Sequence, residues 1–114
     1  KENHVRSCGG IKPALKQAYK IVSAMTPKPL VEIEVENLNE FKEALAMNVQ
    51  RMLLDNFSIA ELEQAVLINQ GQSELEASGN ITLATVESYA QTGVDFISIG
   101  AITKHIKALD LSLR

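Results

Sequence analysis

A repeat of about 22 residues constrains this chain more than any other feature: four short apolar runs each close on a polar or glycine group, and helix signals follow. The runs are "LVEIEV", "RMLLDN", "SELEASGN" and "VDFISIGA". Glu34 to Asp55 is 21 residues, Asp55 to Ser78 is 23, and Ser78 to Gly100 is 22. A steady strand–helix spacing of this size implies repeated βα units, and such crossovers lay their strands parallel. "LVEIEV" alternates strictly, with Val31, Ile33 and Val35 on one face and Glu32, Glu34 and Glu36 on the other. "MLL" and "FISI" instead supply the continuous apolar runs of parallel strands buried on both faces.

Helix signals fill the intervals. Ile11, Leu15, Ala18 and Ile21 with Val22 form an apolar stripe at helical spacing, so a helix is expected from Ile11 to about Met25. Pro13 suits its first turn, and Pro27 and Pro29 end it. Asn37 and Glu40 resemble a capping box opening a helix through about Ala46, and Ser58 with Glu61 form a second box before a helix from Ile59 to about Ile68. Thr82 is expected to cap a helix to about Gln91, with Gly93 where a left-handed stop is wanted. A short helical turn is expected around Thr103 to Ile106, and "ALDLSL" alternates again.

Parallel repeats fit an open doubly wound sheet or a (β/α) barrel. The run endings favour the barrel, because Glu34, Asp55, Ser78 and Gly100 would ring one mouth, where barrel sites are built. An open sheet would converge fewer of them, at a switch point. Four units cannot close a barrel, so the expected fold is α/β: parallel βα units forming part of an incomplete (β/α) barrel, with strand edges exposed. The opening "KENHVRSCGG", polar and glycine-rich without an initial methionine, reads as the inside of a loop, so the chain is expected to be part of a longer protein.

A length of 114 residues suits one domain. A net charge of −3 offers no basic footprint for nucleic acid. No apolar stretch reaches the ~20 residues that span a bilayer, so no membrane partner is expected. Cys8 is the only cysteine, which excludes an internal disulfide, leaves a small loop residue as the simplest role, and fits a reducing, cytoplasmic setting.

The run endings carry the candidate chemistry. Glu34 and Asp55 occupy matched positions in adjacent units, and paired carboxylates suit a sugar diol or a Mg²⁺ ion that keeps its waters. Each also has a plain structural use, Glu34 as part of a solvated strand face and Asp55 as a helix cap. "ASGN" and "SIGA" are glycine-bearing turns one unit apart, where backbone N–H groups can approach an anion at a helix N-terminus, or where glycine merely permits a tight turn. In "KENH" Lys1 has the plain reading of a solvated loop lysine and His4 that of a structural donor, and in "TKH" Lys104 and His105 have that of capping or solvating a short helix, although Lys104 lies close enough to Gly100 to neutralise a phosphate. Neither glycine turn matches a Walker loop or dinucleotide fingerprint, and no H-E-x-x-H or G-x-S-x-G motif occurs.

Taken in order, "KENH", "VEIEVEN", "LLDNF", "LEASGNIT", "YAQTGVDFISIGAITKH" and "ALDLSL" resemble the C-terminal part of the quinolinate phosphoribosyltransferases over essentially the whole chain. "EASGNIT…YAQTGVDFISIGA" is the most specific block. The resemblance implies an N-terminal α/β domain preceding this chain, an incomplete α/β barrel including residues 1–106, and a strand at 107–114 returning to that first domain. It implies transfer of phosphoribosyl from phosphoribosyl pyrophosphate to quinolinate, releasing pyrophosphate and carbon dioxide and leaving nicotinate mononucleotide for NAD synthesis. Mg²⁺ would accompany the pyrophosphate, and a homodimer or higher homo-oligomer would share groups between sites. Residue by residue, Lys1 matches a substrate-binding lysine, Glu34 a glutamate facing the ribose hydroxyls, and Asp55 an aspartate near ribose and Mg²⁺. Ser78, Gly79 and Asn80 match the first phosphate-binding turn, and Gly100 with Ala101 the second. Lys104 stands where some members carry histidine. The cations that recognise quinolinate's carboxylates precede "KENH" in the family, so residues 1–114 alone are expected to be inactive.

Other classes remain open on the residues alone. A different phosphate-binding barrel would need a lysine at a strand end or another acid–base pair, and no run here ends in lysine. A non-catalytic association module would fold by itself as a compact monomer.

Overall fold

The repeat folds as a parallel sheet with its helices on one side. A computed structural model of the chain describes residues 10–26, 30–99 and 102–106. Lys1, His4, Cys8, Pro27, Pro29, Gly100, Ala101 and the 107–114 segment lie outside the described residues.

Helix α1 (Ile11–Val22) buries Ile11, Ala14 and Leu15. It stops short of Met25 because the Ser23 hydroxyl donates to the Lys20 carbonyl at 2.8 Å, while the Ala24 and Met25 amides tighten onto carbonyls three residues back. Strand β1 (Glu32–Val35) leads to α2 (Leu38–Ala46), where Asn37 Oδ1 accepts the Glu40 amide at 2.9 Å. The expected box is only half formed, since the Glu40 carboxylate accepts the Glu36 amide instead of that of Asn37. After β2 (Arg51–Asp55), α3 (Ile59–Asn69) opens on the complete Ser58–Glu61 box and closes on Gln70 in a left-handed conformation.

Past β3 (Glu74–Ser78) the expectations drift. Helix α4 spans only Val86–Ala90, because Thr82 and Thr85 spend their hydroxyls on a local turn, Thr82 N–H donating to Thr85 Oγ1 at 3.1 Å. Gly93 is left-handed as expected, with φ +97°. Strand β4 is Phe96–Ile99, and Ile102–His105 forms a further strand, β5, in place of the expected helical turn. Its branched side chains favour extended backbone, and it pairs antiparallel to β4 with Phe96 opposite His105 and Ser98 opposite Thr103.

The sheet order is β1-β2-β3-β4-β5, with β1 to β4 parallel. A doubly wound sheet reverses order at a switch point and is covered on both faces. Here the order is strictly sequential, and crossovers of one hand keep α1 against α2 and α2 against α3 on one side. That is the wall of a barrel. Correspondingly, the strands are not apolar on both faces. Ile33, Val35, Met52, Leu54, Leu75, Ala77 and Ile97 are buried and pack in one core with Leu15, Phe41, Ala44, Leu62 and Ala65 of the helices, while the alternate residues face the other way.

Each fully buried aliphatic or aromatic side chain in this layer contributes about 1.5–3 kcal/mol. Leu54, wholly inaccessible to solvent, sits in the central strand pair. Leu54→Ala in the intact protein should cost about 2–5 kcal/mol in a chemical denaturation experiment, a loss well under 1 kcal/mol being incompatible with this core.

Candidate active site

The helix-free face is polar from floor to rim. Strand alternation places Glu34, Arg51, Leu53, Asp55, Glu76, Ser78, Phe96, Ser98, Thr103 and His105 on it. Its floor is a connected network centred on Glu76, which is only 7% exposed. Arg51 Nη2 donates to Glu76 Oε1 at 3.0 Å, and the hydroxyls of Ser98 and Thr103 donate to Oε2. The Arg51 guanidinium lies 3.6 Å from the Phe96 ring centroid, and that ring stacks on His105 at 4.7 Å. Sequence inspection passed over this cluster, although alternation from Ser78 already put Glu76 on the same face.

At the rim, the β2–β3 register sets Asp55 directly opposite Ser78. Ser78 Oγ donates to Asp55 Oδ1 at 3.3 Å, and the Asn56 amide donates to the Ser78 carbonyl at 3.0 Å. The chain then turns through Gly79 (φ +92°) and Asn80 (φ +54°). A Cβ on Gly79 would meet the Asn56 side chain, 2.8 Å from its Cγ, and lie 3.1 Å from its backbone nitrogen, so the positive φ favours glycine and an added Cβ would force Asn56 to shift. A cleft of about 330 Å³ opens beside the turn, lined by residues including Asn56, Ser58, Gly79, Asn80 and Tyr89.

Glu34 shares this face and is half-buried, but it is not level with Asp55. It pairs with Leu53, two residues before Asp55, so equal spacing in the sequence does not mean equal height in the sheet. The stagger displaces it by about 6.6 Å along the strand, and its extra methylene recovers only part of that. Lys104 belongs to β5 opposite Ile97. Lys1, Gly100 and Ala101 fall outside the described residues. Because β5 follows β4 and α4 has five residues, neither glycine turn leads directly into a long helix, and the case for a helix dipole at these turns weakens accordingly.

A larger cleft, about 540 Å³, lies at the other end of the sheet among Tyr19, Val22, Leu30, Val31, Asn48 and Gln50. There the Tyr19 hydroxyl donates to the Met47 carbonyl at 3.0 Å and burial pushes its pKa up. The strands' N-terminal ends are the packing side of a barrel, whereas chemistry sits at the opposite mouth. The rim around Asp55 is therefore the candidate site, with the smaller cleft on the helix side of its glycine turn, among Ser58, Glu61 and Tyr89. Among the described residues no cluster of three or more His, Cys, Asp or Glu groups encloses a metal. Asp55 and Glu34, two carboxylates on one face, are the oxygen donors that would hold a Mg²⁺ ion retaining its waters.

The model of the family described as quinolinate phosphoribosyl transferase, C-terminal domain, matches residues 1–114. A chloroplastic nicotinate-nucleotide pyrophosphorylase [carboxylating] of Arabidopsis thaliana is 38% identical over 129 residues, covering all of this chain and 37% of the relative. A probable nicotinate-nucleotide pyrophosphorylase [carboxylating] of Synechocystis is 40% identical, again over the whole chain and 39% of the relative. The solved nicotinate-nucleotide pyrophosphorylase of Francisella tularensis superposes with a TM-score of 0.80 at 50% identity, covering 96% of this chain and 38% of that one. The chain thus spans under two-fifths of the length of these relatives.

Gly79→Ala should destabilise the protein by about 1–3 kcal/mol from backbone strain, with the Asn56 collision added. Gly71→Ala is the control, since Gly71 is also left-handed but has nothing within 4 Å of its virtual Cβ. Thermal melts should rank Gly79→Ala clearly below Gly71→Ala, and equal losses would show that the Asn56 contact contributes nothing.

Proposed function

The chain belongs to the quinolinate phosphoribosyltransferase family, of which it is the C-terminal domain, and from that we propose that it supplies the sugar-phosphate half of an enzyme making nicotinate mononucleotide for NAD synthesis. The substrates would be quinolinate and phosphoribosyl pyrophosphate. The observation that carries this is the in-register meeting of Asp55 with the Ser78–Asn80 turn, an acid beside a left-handed glycine–asparagine turn that would serve as an anion cradle.

In the proposed reaction the pyridine nitrogen forms a bond to the anomeric carbon as the bond to pyrophosphate breaks and pyrophosphate departs. The ring carboxylate next to that nitrogen then leaves as carbon dioxide, and a proton takes its place. Positive charge builds on the ribose as pyrophosphate leaves, and Asp55 and Glu34 below it would stabilise that charge in a site closed to water. Ser78 Oγ, already turned towards Asp55, orients the carboxylate. The turn at Gly79 and Asn80 would hold the 5′-phosphate and fix the sugar for in-line attack. Mg²⁺, held by Asp55 and Glu34 directly or through water, would neutralise the pyrophosphate.

Lys1, Gly100, Ala101 and Lys104 are proposed to complete the phosphate and substrate contacts. Cations recognising quinolinate's two carboxylates are assigned to the part of the protein preceding this chain, and a homodimer or higher homo-oligomer is proposed to complete each site. A cytoplasmic location is proposed, whereas the Arabidopsis relative is named as chloroplastic. Neither nucleic acid nor a membrane is a proposed partner. No helix among the described residues is long and apolar enough to cross a membrane.

Asp55→Ala and Glu34→Ala, each in the intact enzyme, should lower turnover at least ~100-fold, the scale for losing one electrostatic stabiliser. Steady-state kinetics showing near-normal rates for both variants would remove the ribose-site assignment.

A further inference from the structure

We propose that Asn56 is a positioning residue that locks the phosphate-binding turn to the Asp55 carboxylate. The inference rests on the phosphoribosyl site proposed above and adds to it a residue that touches neither reacting atom. Asn56 follows Asp55 directly and holds a left-handed backbone, φ +58°, which asparagine tolerates better than most residues. Its amide donates to the Ser78 carbonyl at 3.0 Å, the ladder bond that closes the Asp55–Ser78 pair. Its side chain lies over the bare Cα of Gly79, in the volume a Cβ would need: such a Cβ would sit 2.8 Å from Asn56 Cγ and 3.1 Å from its backbone nitrogen.

Asn56 and Gly79 are thus complementary, each left-handed and each shaped by the other. With Ser78 Oγ on Asp55, the two strand ends are joined three times: by hydroxyl and carboxylate, by amide and carbonyl, and by side chain against Cα. The turn cannot shift relative to Asp55 without breaking one of these. The anion cradle is therefore held ready at a set height relative to the ribose carboxylate, so that phosphate and ribose bind together without the cost of ordering the turn, and loosening it weakens the binding of phosphoribosyl pyrophosphate.

The test is Asn56→Gly in the intact enzyme. Glycine adopts the left-handed backbone without strain, so the amide bond to Ser78 survives and only the wedge is removed. KM for phosphoribosyl pyrophosphate should rise about tenfold, equivalent to ~1.4 kcal/mol, while KM for quinolinate stays within twofold. Calorimetric titration of phosphoribosyl pyrophosphate alone should show the same weakening, independently of turnover. A variant that merely folds less well would lose kcat with both KM values unchanged, and that result overturns the proposal, as does an unchanged affinity. If Asp55→Ala is inactive while Asn56→Gly binds normally, the Asn56 role falls and the phosphoribosyl site stands. If the intact wild-type protein binds no phosphoribosyl pyrophosphate, the functional reading falls and the Asn56 role with it.

Discussion

The register of β2 on β3 decides what this sheet can do. Its pairs run from Arg51 opposite Glu74 to Asp55 opposite Ser78. A slip of one residue would turn every side chain of a strand over. Met52 and Leu54 would then lose burial worth about 1.5–3 kcal/mol each, and Arg51 and Asp55 would be driven into the apolar layer without partners. The site at the rim is therefore fixed by the core beneath it: the same alternation that buries Leu54 presents Asp55.

The floor network acts on the same choice. A buried ion pair is weak evidence for stability, because desolvation offsets much of its attraction. What the Arg51–Glu76 pair supplies is discrimination between neighbours. Glu76 takes its donors from β2, β4 and β5, and Arg51 reaches diagonally from its own partner, Glu74, to Glu76 while covering Phe96. An alternative pairing would leave a carboxylate and a guanidinium unsatisfied in the same layer. The hairpin-like β5 fits this account, since Thr103 and His105 find Glu76 and Phe96 only when β5 lies antiparallel on β4.

What the sequence made legible is what local chemistry determines. The strand cores, the Ser58–Glu61 box and the left-handed Gly93 follow from residue type and spacing, and the structure has them where expected. Of the run endings among the described residues, Asp55 and Ser78 meet at one end of the sheet. Legibility failed where a partner distant in sequence decides. Counting from run to run made Glu34 and Asp55 level, but inter-strand stagger places Glu34 beside Leu53. "AITKHI" carried a helical reading that pairing with β4 overrode. Glu76 carries no local signal of its role, since that role depends on Arg51, 25 residues earlier. Asn56 gave no signal of its own, because its role depends on the missing Cβ of a residue in the next unit.

The charge on the helix-free face carries the synthesis one step further. The described rim and floor offer carboxylates, hydroxyls and backbone amides, and Arg51 is already committed to Glu76. Such a surface suits a sugar gaining positive charge and a phosphate cradled by neutral N–H donors. It does not suit two ring carboxylates and a pyrophosphate, which bring several negative charges that need cations. On the proposed function the labour is therefore divided by charge. The described rim would stabilise the developing cation, and Mg²⁺ together with Lys1 and Lys104 of this chain and cations from elsewhere in the assembled enzyme would neutralise the anions. Among the described residues of this wall the one arginine is paired with Glu76, so on the proposed function the uncommitted cations come from outside the described rim.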